Sequence, residues 1–427
     1  MLLNKPRAYE VMDKYQLDGL IAVNQLNIYY LTDYWGPLMR MRRMFFNYAV
    51  FPRKEDAPAA LVETAVGLLR LFENRSVTWV PNVCGYTHPI YSDRRDFDPD
   101  VEEPEAVQEG IKWPISEGYL SKTDEEYLKF SEGFKGKYSV NPLYALKKAI
   151  KDAGLEKATV GIDDPRVINW LNQIGLPDLK GMEATTIFRE IRMVKTLEEL
   201  AIIREAAAMN EKAVDAAIGS LRVGMEQDYL EIIYNTELAK LGGQGVYLST
   251  GTMGRRKDIV RENQLITFDG LCEYKHYHGD IGRTAICGEP TDEMLYRNHI
   301  MRKGCEIAYD MIKPGVKGWE MTTRVIEEMR KMGFSGFFIC TPHSLGLEHT
   351  DHPLPIGPML PGSQGEFVFE ENMVFTIDMP YYEVGWGNMH LEDTVRVSAD
   401  GCDPFNSCDV GLRIIPPEGG AAVIAAY

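Results

Sequence analysis

The sequence predicts an α+β protein of two domains, and three observations carry that expectation. Runs alternating polar and apolar residues recur between 264 and 397 and are spaced as strand hairpins. Helical patterns come in pairs between those hairpins instead of alternating with single strands. Ahead of a seam near residue 185, short strands and helices alternate, which reads as a separate α/β layer. A chain of 427 residues is long enough for two units, each with its own core. The expected division is 1–184 and 185–427, the second unit forming a curved antiparallel sheet backed by helices.

In chain order, residues 9–15 read as helix, and 18–23, 47–51, 59–63 and 77–80 as strands. The stretch 82–140 contains Pro89, Pro99, Pro104 and Pro114 and reads as an irregular excursion, a lid or dimer arm. A helix from Leu143 ends with Gly154 at its C′ position, a strand starts at Thr159, and another helix follows Pro165. Beyond the seam, Thr196 with Glu199 three residues on forms a capping box. It opens a long amphipathic helix from Leu197 to about Ala217. A helix over 227–240 runs into the turn Gly242-Gly-Gln-Gly245, and two more lie near 293–312 and 319–332.

A net charge of -17 argues against nucleic acid or an anionic membrane as the main partner. No apolar run reaches the ~20 residues that span a bilayer. No apolar stretch follows Met1-Leu-Leu-Asn-Lys-Pro-Arg, so no secretory signal is read there and a cytoplasmic location is expected. The seven scattered cysteines include no CxxC pair and are expected as reduced thiols.

The chemistry concentrates after residue 264. Leu265, Thr267 and Asp269 alternate with Ile266 and Phe268, and a second run begins on Asp280. As a hairpin these runs bring Asp269 and Asp280 together. Two bare carboxylates that close repel and need a proton or a cation between them, unless both are simply solvated turn acids. His343, His349 and His352 cluster in Cys340-Thr-Pro-His343-Ser-Leu-Gly-Leu-Glu-His349-Thr-Asp351-His352. Met373–Asp378 reads as a buried strand ending on an acid, and 387–397 places Glu392, Thr394 and Arg396 on one face. Carboxylate and imidazole are the ligands that hard or borderline divalent ions take. His276 and His278, in the turn between the aspartates, are expected to be solvated.

The order Asp269-Gly, Asp280-Ile-Gly-Arg-Thr, His343-Ser-Leu-Gly-Leu, Asp378 and Leu391-Glu392-Asp393 resembles the metal site of the pita-bread superfamily. Methionine aminopeptidase, aminopeptidase P, prolidase, creatinase and dimethylsulfoniopropionate lyase belong to it. The run Met193-Val-Lys-Thr-Leu-Glu-Glu-Leu200 likewise resembles the opening of the catalytic domain in aminopeptidase P and prolidase. The resemblance implies a creatinase-like N-terminal domain, a pita-bread C-terminal domain and a homodimeric assembly. It implies one or two divalent ions (Mn, Fe, Zn or Co) on Asp269, Asp280, His343, Asp378 and Glu392.

Three departures stand out. Asp378 occupies a position that is Glu in the family, His390 one that is often Arg, and no histidine lies between His88 and His276, where the peptidases carry a substrate-holding one. His349, His352, Asp351 and His390 are therefore candidate acid/base residues. Thr252, Arg255 and Arg256 on the loop of the missing histidine, with Arg42 and Arg43 in the first domain, are candidate contacts for a small anionic or dipeptide-like substrate. The expected activity is hydrolysis of an amide-type C–N bond, Xaa-Pro peptidase-like. A metal-dependent lyase acting on a small carboxylate is the first alternative, and a non-catalytic binding protein the second.

Overall fold

A computed structural model divides into two compact units, Met1–Ile191 and Arg192–Tyr427. It describes residues 1–73, 77–87, 113–135, 137–251, 259–353, 367–407 and 409–425. The class is α+β, as expected.

The first unit runs α1 (Lys5–Tyr15), β1 (Gly19–Ala22), α2 (Gln25–Thr32), α3 (Pro37–Arg40), β2 (Tyr48–Pro52), β3 (Ala60–Thr64) and α4 (Ala65–Phe72). It continues with β4 (Asn82–Tyr86), α5 (Lys122–Glu132), α6 (Pro142–Asp152), β5 (Thr159–Ile162), α7 (Arg166–Gln173), β6 (Lys180–Glu183) and α8 (Thr185–Arg192). Its six strands order β4-β3-β2-β1-β5-β6, with parallel pairs at β3–β4, β1–β5 and β5–β6. Gly154 does end the α6 turn, at φ +69. Two expectations need correction. Residues 77–80 form no strand: Val77 is exposed and Thr78 spends its hydroxyl on the Thr32 carbonyl at 2.7 Å. The 82–140 stretch is not irregular throughout, since it contains β4 and α5, the latter opened by a Ser121–Asp124 capping box. Residues 88–112 lie outside the described residues.

The second unit begins with α9 (Leu197–Gly219), α10 (Asp228–Leu241), β7 (Gln244–Gly251), β8 (Gln264–Tyr274), β9 (Tyr277–Cys287), α11 (Asp292–Met311) and α12 (Gly318–Lys331). It ends with β10 (Thr341–Ser344), β11 (Val374–Glu383), β12 (Gly387–Val397), β13 (Cys402–Pro404), β14 (Arg413–Ile415) and β15 (Val423–Ile424). These nine strands make one sheet, antiparallel except where β14 meets β9. The capping box at Thr196 is present, with the hydroxyl bonded to the Glu199 N–H and the Glu199 carboxylate returned to the Thr196 N–H. Among the described residues no helix is long and apolar enough to cross a membrane.

Hairpin β8–β9 is the spine of the sheet. Lys275 and His276 both take positive φ, 48 and 69, and close it with Tyr274 opposite Tyr277. Two such central residues give the turn whose twist matches the strands. Helix α9 lies against this hairpin at two glycines. A Cβ on Gly279 would stand 2.7 Å from the Ala206 backbone, and one on Gly270 2.7 Å from Val214. Asn210 of α9 donates to the carbonyls of Gly270 (2.6 Å) and Gly279 (2.8 Å) and accepts from the Tyr234 hydroxyl of α10 (2.6 Å). That places a fully satisfied polar link inside a buried layer. Gly279→Ala forces backbone apart and is expected to lower stability by about 1–3 kcal/mol, measured as a lower denaturant midpoint at unchanged slope; an unchanged midpoint would show that α9 has room to retreat.

Candidate metal centre

Five strands deliver polar side chains to one face of the sheet. On β8 and β9, Asp269 lies opposite Gly282 and Asp280 opposite Leu271, so the two acids are diagonal neighbours on the same face. On β11 and β12, Asp378 lies opposite Glu392 and Pro380 opposite His390. His343 enters from β10, opposite Thr376. Asp269 and Asp378 sit within their strands, which run on to Tyr274 and Glu383; the expected strand ends at these acids are not found.

Backbone and side chains on both faces hold β9 against β12. Glu392 pairs with Gly282, and a Cβ there would stand 2.8 Å from the Glu392 Cβ and from the His390 ring. Glycine is thus what lets two functional side chains occupy that spot. Thr284 Oγ1 accepts from the His390 N–H (2.9 Å), and Thr394 Oγ1 donates to the Asp280 carbonyl (2.9 Å). The buried Arg283 donates to Asp393 (2.6 Å) and to the Glu392 carbonyl (2.9 Å), with the Tyr309 hydroxyl also on Asp393 (2.5 Å).

His343 Nε2 is 3.3 Å from Glu392 Oε1, 3.8 Å from Asp280 Oδ2 and 2.7 Å from Thr376 Oγ1. His349 Nε2 is 3.1 Å from Asp280 Oδ2, and His390 Nε2 is 2.7 Å from Asp378 Oδ1 and 3.5 Å from Glu392 Oε2. The expected metal set therefore converges, joined by His349 and His390. Three groupings have their ligand atoms within 4.8 Å of one another: Asp280/His343/His349, Asp269/His390/Glu392 and His343/Asp378/Glu392. Asp280 Oδ1 and Glu392 Oε1 are buried and accept no hydrogen bond from the described residues. Buried acceptors without donors are costly, and a cation satisfies them.

Electrostatics agree. Burial first, then Asp280 and Asp378, push the Asp269 carboxyl up to about 6. Glu392 is raised well above the usual carboxylate range by burial, Asp280 and Asp378. Burial alone would depress His390, but its hydrogen bond to Asp378 and the charges of Asp378 and Glu392 raise it to about 9. The same carboxylates, after burial, raise the Tyr247 hydroxyl on β7. These groups crave positive charge.

Other expected site residues lie elsewhere. Asp351 is fully buried in an ion network instead of facing the cluster: it accepts from Arg192 (3.0 Å) and lies 4.0 Å from Lys195 Nζ. Burial would raise its carboxyl, yet Arg192 and Lys195 hold it below the ordinary value, so as a proton acceptor it is already committed. His352 is buried beside it and belongs to none of the three groupings. Arg42 and Arg43 are exposed in a turn of the first unit, Arg43 lying over the Phe46 ring at 5.6 Å. Thr252, Arg255 and Arg256 lie outside the described residues. His278 is not solvated: it is buried, with its N–H on the Gly346 carbonyl at 2.9 Å.

Sequence reading missed what holds the His349 loop. Arg192 pairs with both Glu348 and Asp351, and Lys195 Nζ donates to the Arg192 carbonyl at 2.6 Å. Gly346 is needed here too, since a Cβ would meet Asp351 Oδ2 at 2.8 Å and Lys195 Nζ at 3.0 Å. The available signal was Arg192 and Lys195 directly ahead of the capping box, two cations on the way into a buried helix.

Two of these shifts contribute in the same direction to how the metal-free protein responds to pH. Folded Asp269 holds its proton to about 6 against an ordinary 3.8, so its contribution to stability declines as pH rises from about 4 to 6. His390 contributes fully below 6.5 and loses its contribution as pH rises through about 9. Both slopes have one sign, and a divalent ion that displaces these protons reverses the trend. Melting temperatures in a chelator should fall from pH 5 to pH 9, and added Mn²⁺ should stabilise most at the alkaline end; stability rising with pH in the chelator would contradict the charge crowding.

Comparison with known proteins follows the same line. Residues 201–399 match metallopeptidase family M24. An Xaa-Pro dipeptidase of Pyrococcus furiosus is 25% identical over 272 residues, covering 61% of this chain and 74% of the relative. One of Lactobacillus delbrueckii is 26% identical over 238 residues, covering 53% and 63%. The crystal structure of an X-Pro aminopeptidase from Thermotoga maritima superposes with a TM-score of 0.68 at 18% identity, covering 95% of this chain and all of that one, which establishes the shared fold. The ligand-type residues gathered on one sheet face all lie within the stretch that matches metallopeptidase family M24, and over that stretch the chain resembles the pita-bread metallohydrolases.

Proposed function

We propose that the protein is a metal-dependent peptidase of the dipeptidase kind, hydrolysing the amide C–N bond of a small substrate such as an Xaa-Pro dipeptide. One observation carries this reading: four carboxylates and three imidazoles share one site while Asp280 Oδ1 and Glu392 Oε1 keep unused lone pairs. Asp269, Asp280, His343, Asp378 and Glu392 are the residues that would hold one or two divalent ions. Such an ion polarises a carbonyl and makes water a nucleophile near neutral pH. Asp378 or Glu392 would take up the proton that water loses, a role supported by the imidazole close to each. The named dipeptidases among the relatives favour hydrolysis over the lyase alternative.

His343→Ala is expected to abolish divalent-ion retention and reduce dipeptide hydrolysis to background, read by elemental analysis beside an Xaa-Pro assay. Full activity with normal metal content in that variant would overturn the assignment. An assay with dimethylsulfoniopropionate in parallel separates peptidase from lyase.

For substrate charge, the proposal extends to Arg42, Arg43, Thr252, Arg255 and Arg256 as contacts for a carboxylate, with two copies of the chain forming the working assembly. Two basic clusters in a chain of net charge -17 support it, because guanidinium forks suit carboxylates. Arg42→Ala, Arg43→Ala and Arg255→Ala should each cost about 1.5–3 kcal/mol of binding where the contact is made, seen as a raised KM at similar kcat. Unchanged KM in all three retires the anionic-substrate reading.

A further inference from the structure

We propose that His349 and His390 are metal ligands, so that the centre grips its ions with three imidazoles, in two triads of unlike chemistry. This rests on the metal-dependent reading above and goes beyond it, because both histidines otherwise count as proton carriers. The first triad is Asp280, His343 and His349. The His343 and His349 ring centroids are 4.8 Å apart, tilted by 47°, and both Nε2 atoms face the same Asp280 oxygen, at 3.8 and 3.1 Å. The second is Asp269, His390 and Glu392, with His390 and Glu392 two residues apart on one face of β12. Glu392 stands between the triads, one oxygen toward His343 and the other toward His390.

The burial of His390 argues against a proton-carrier role. The residue is 3% exposed, and its Nε2 lies 2.7 Å from Asp378 Oδ1 and 3.5 Å from Glu392 Oε2, so the nitrogen is turned to carboxylates and not to open solvent. A cation held by that nitrogen would replace the His390–Asp378 hydrogen bond and take the place of the Nε2 proton, which would leave to solvent. His349 differs in being part-exposed, but its loop is not free to swing. Glu348 and Asp351 on either side are both paired with Arg192, and Gly346 is bonded to His278. The nitrogen is thereby presented to Asp280, whose other oxygen carries no hydrogen bond among the described residues.

Ligand type gives the triads different preferences. Two imidazoles and one carboxylate suit borderline ions such as Zn²⁺ or Co²⁺, whereas one imidazole and two carboxylates suit a harder ion such as Mn²⁺. The full-length protein, stripped and titrated with Zn²⁺ or Mn²⁺ by calorimetry, should bind two ions of each, with unequal affinities for Zn²⁺. X-ray absorption at the zinc edge of the two-zinc protein should report three imidazoles shared by two ions. His349→Asn and His390→Gln should each bind one ion fewer, a larger effect than the 10–100-fold weakening that loss of an outer-shell partner produces.

One imidazole per two zinc ions, or both variants binding two ions within tenfold of the parent affinity, overturns the ligand assignment while leaving the metal-dependent reading intact. A single ion in the parent overturns the two-triad arrangement. No divalent binding by the parent at all removes both readings. Should a variant fail to fold, the absorption spectrum of the parent decides alone.

Discussion

Mutual repulsion among Asp269, Asp280, Asp378 and Glu392 is the constraint on which the second unit is organised. Two like charges ~4 Å apart repel by about 4 kcal/mol at an effective dielectric of ~20, and this face crowds four carboxylates with Glu392 fully enclosed. A loose scaffold would relieve that strain by letting the acids part. The second unit instead places them on paired strands and backs those strands rigidly. Arg283 clamps Asp393 and the Glu392 carbonyl from behind, and Gly282 removes the one side chain that would force β12 away. The charge that makes the apo state costly is also what makes a cation bind tightly.

Support for this face extends outward in two directions. Beneath the hairpin, Asn210 answers the carbonyls of Gly270 and Gly279, so α9 seats against backbone at the strand segment that carries the first two acids. Beside it, Arg192 and Lys195 at the entrance to α9 neutralise Glu348 and Asp351 and hold the loop of His349. Burial lowers the Lys195 ammonium even with Asp351 and Glu199 near it, and burial raises Glu199 to about 7 despite Lys195. Buried ion networks of this kind add little net stability over an apolar replacement, but breaking one partner leaves a buried charge uncompensated. The chain from Arg192 into α9 thus serves both the hairpin and the loop.

How far the sequence was legible follows from the range of each signal. Hairpin β8–β9, the capping box at Thr196 and the α6 terminus at Gly154 are local patterns, and all three were readable because neighbours in sequence determine them. The ligand-type residues were readable through their ordered spacing, which survives even at low identity. Asp351 misled because a carboxylate near two histidines looks like a base, whereas its partners Arg192 and Lys195 are distant in sequence. His278 misled for the same reason, since its turn is covered by Gly346 of a distant loop. At 77–80 a β-prone composition lost to exposure of Val77 and to the Thr78–Thr32 hydrogen bond.

Asp378 and His390, read separately from the sequence, look like two unrelated departures from the pattern that the chain resembles. Register makes them one. Asp378 pairs with Glu392, two residues from His390 on the same face of β12, and the imidazole reaches across to the shorter carboxylate at 2.7 Å. Position 378 keeps a carboxylate, one methylene shorter than a Glu, and His390 sets a ring nitrogen against it within hydrogen-bond distance. With His390 as a ligand, as proposed above, the donor set gains an imidazole and becomes softer, which favours borderline ions over hard ones.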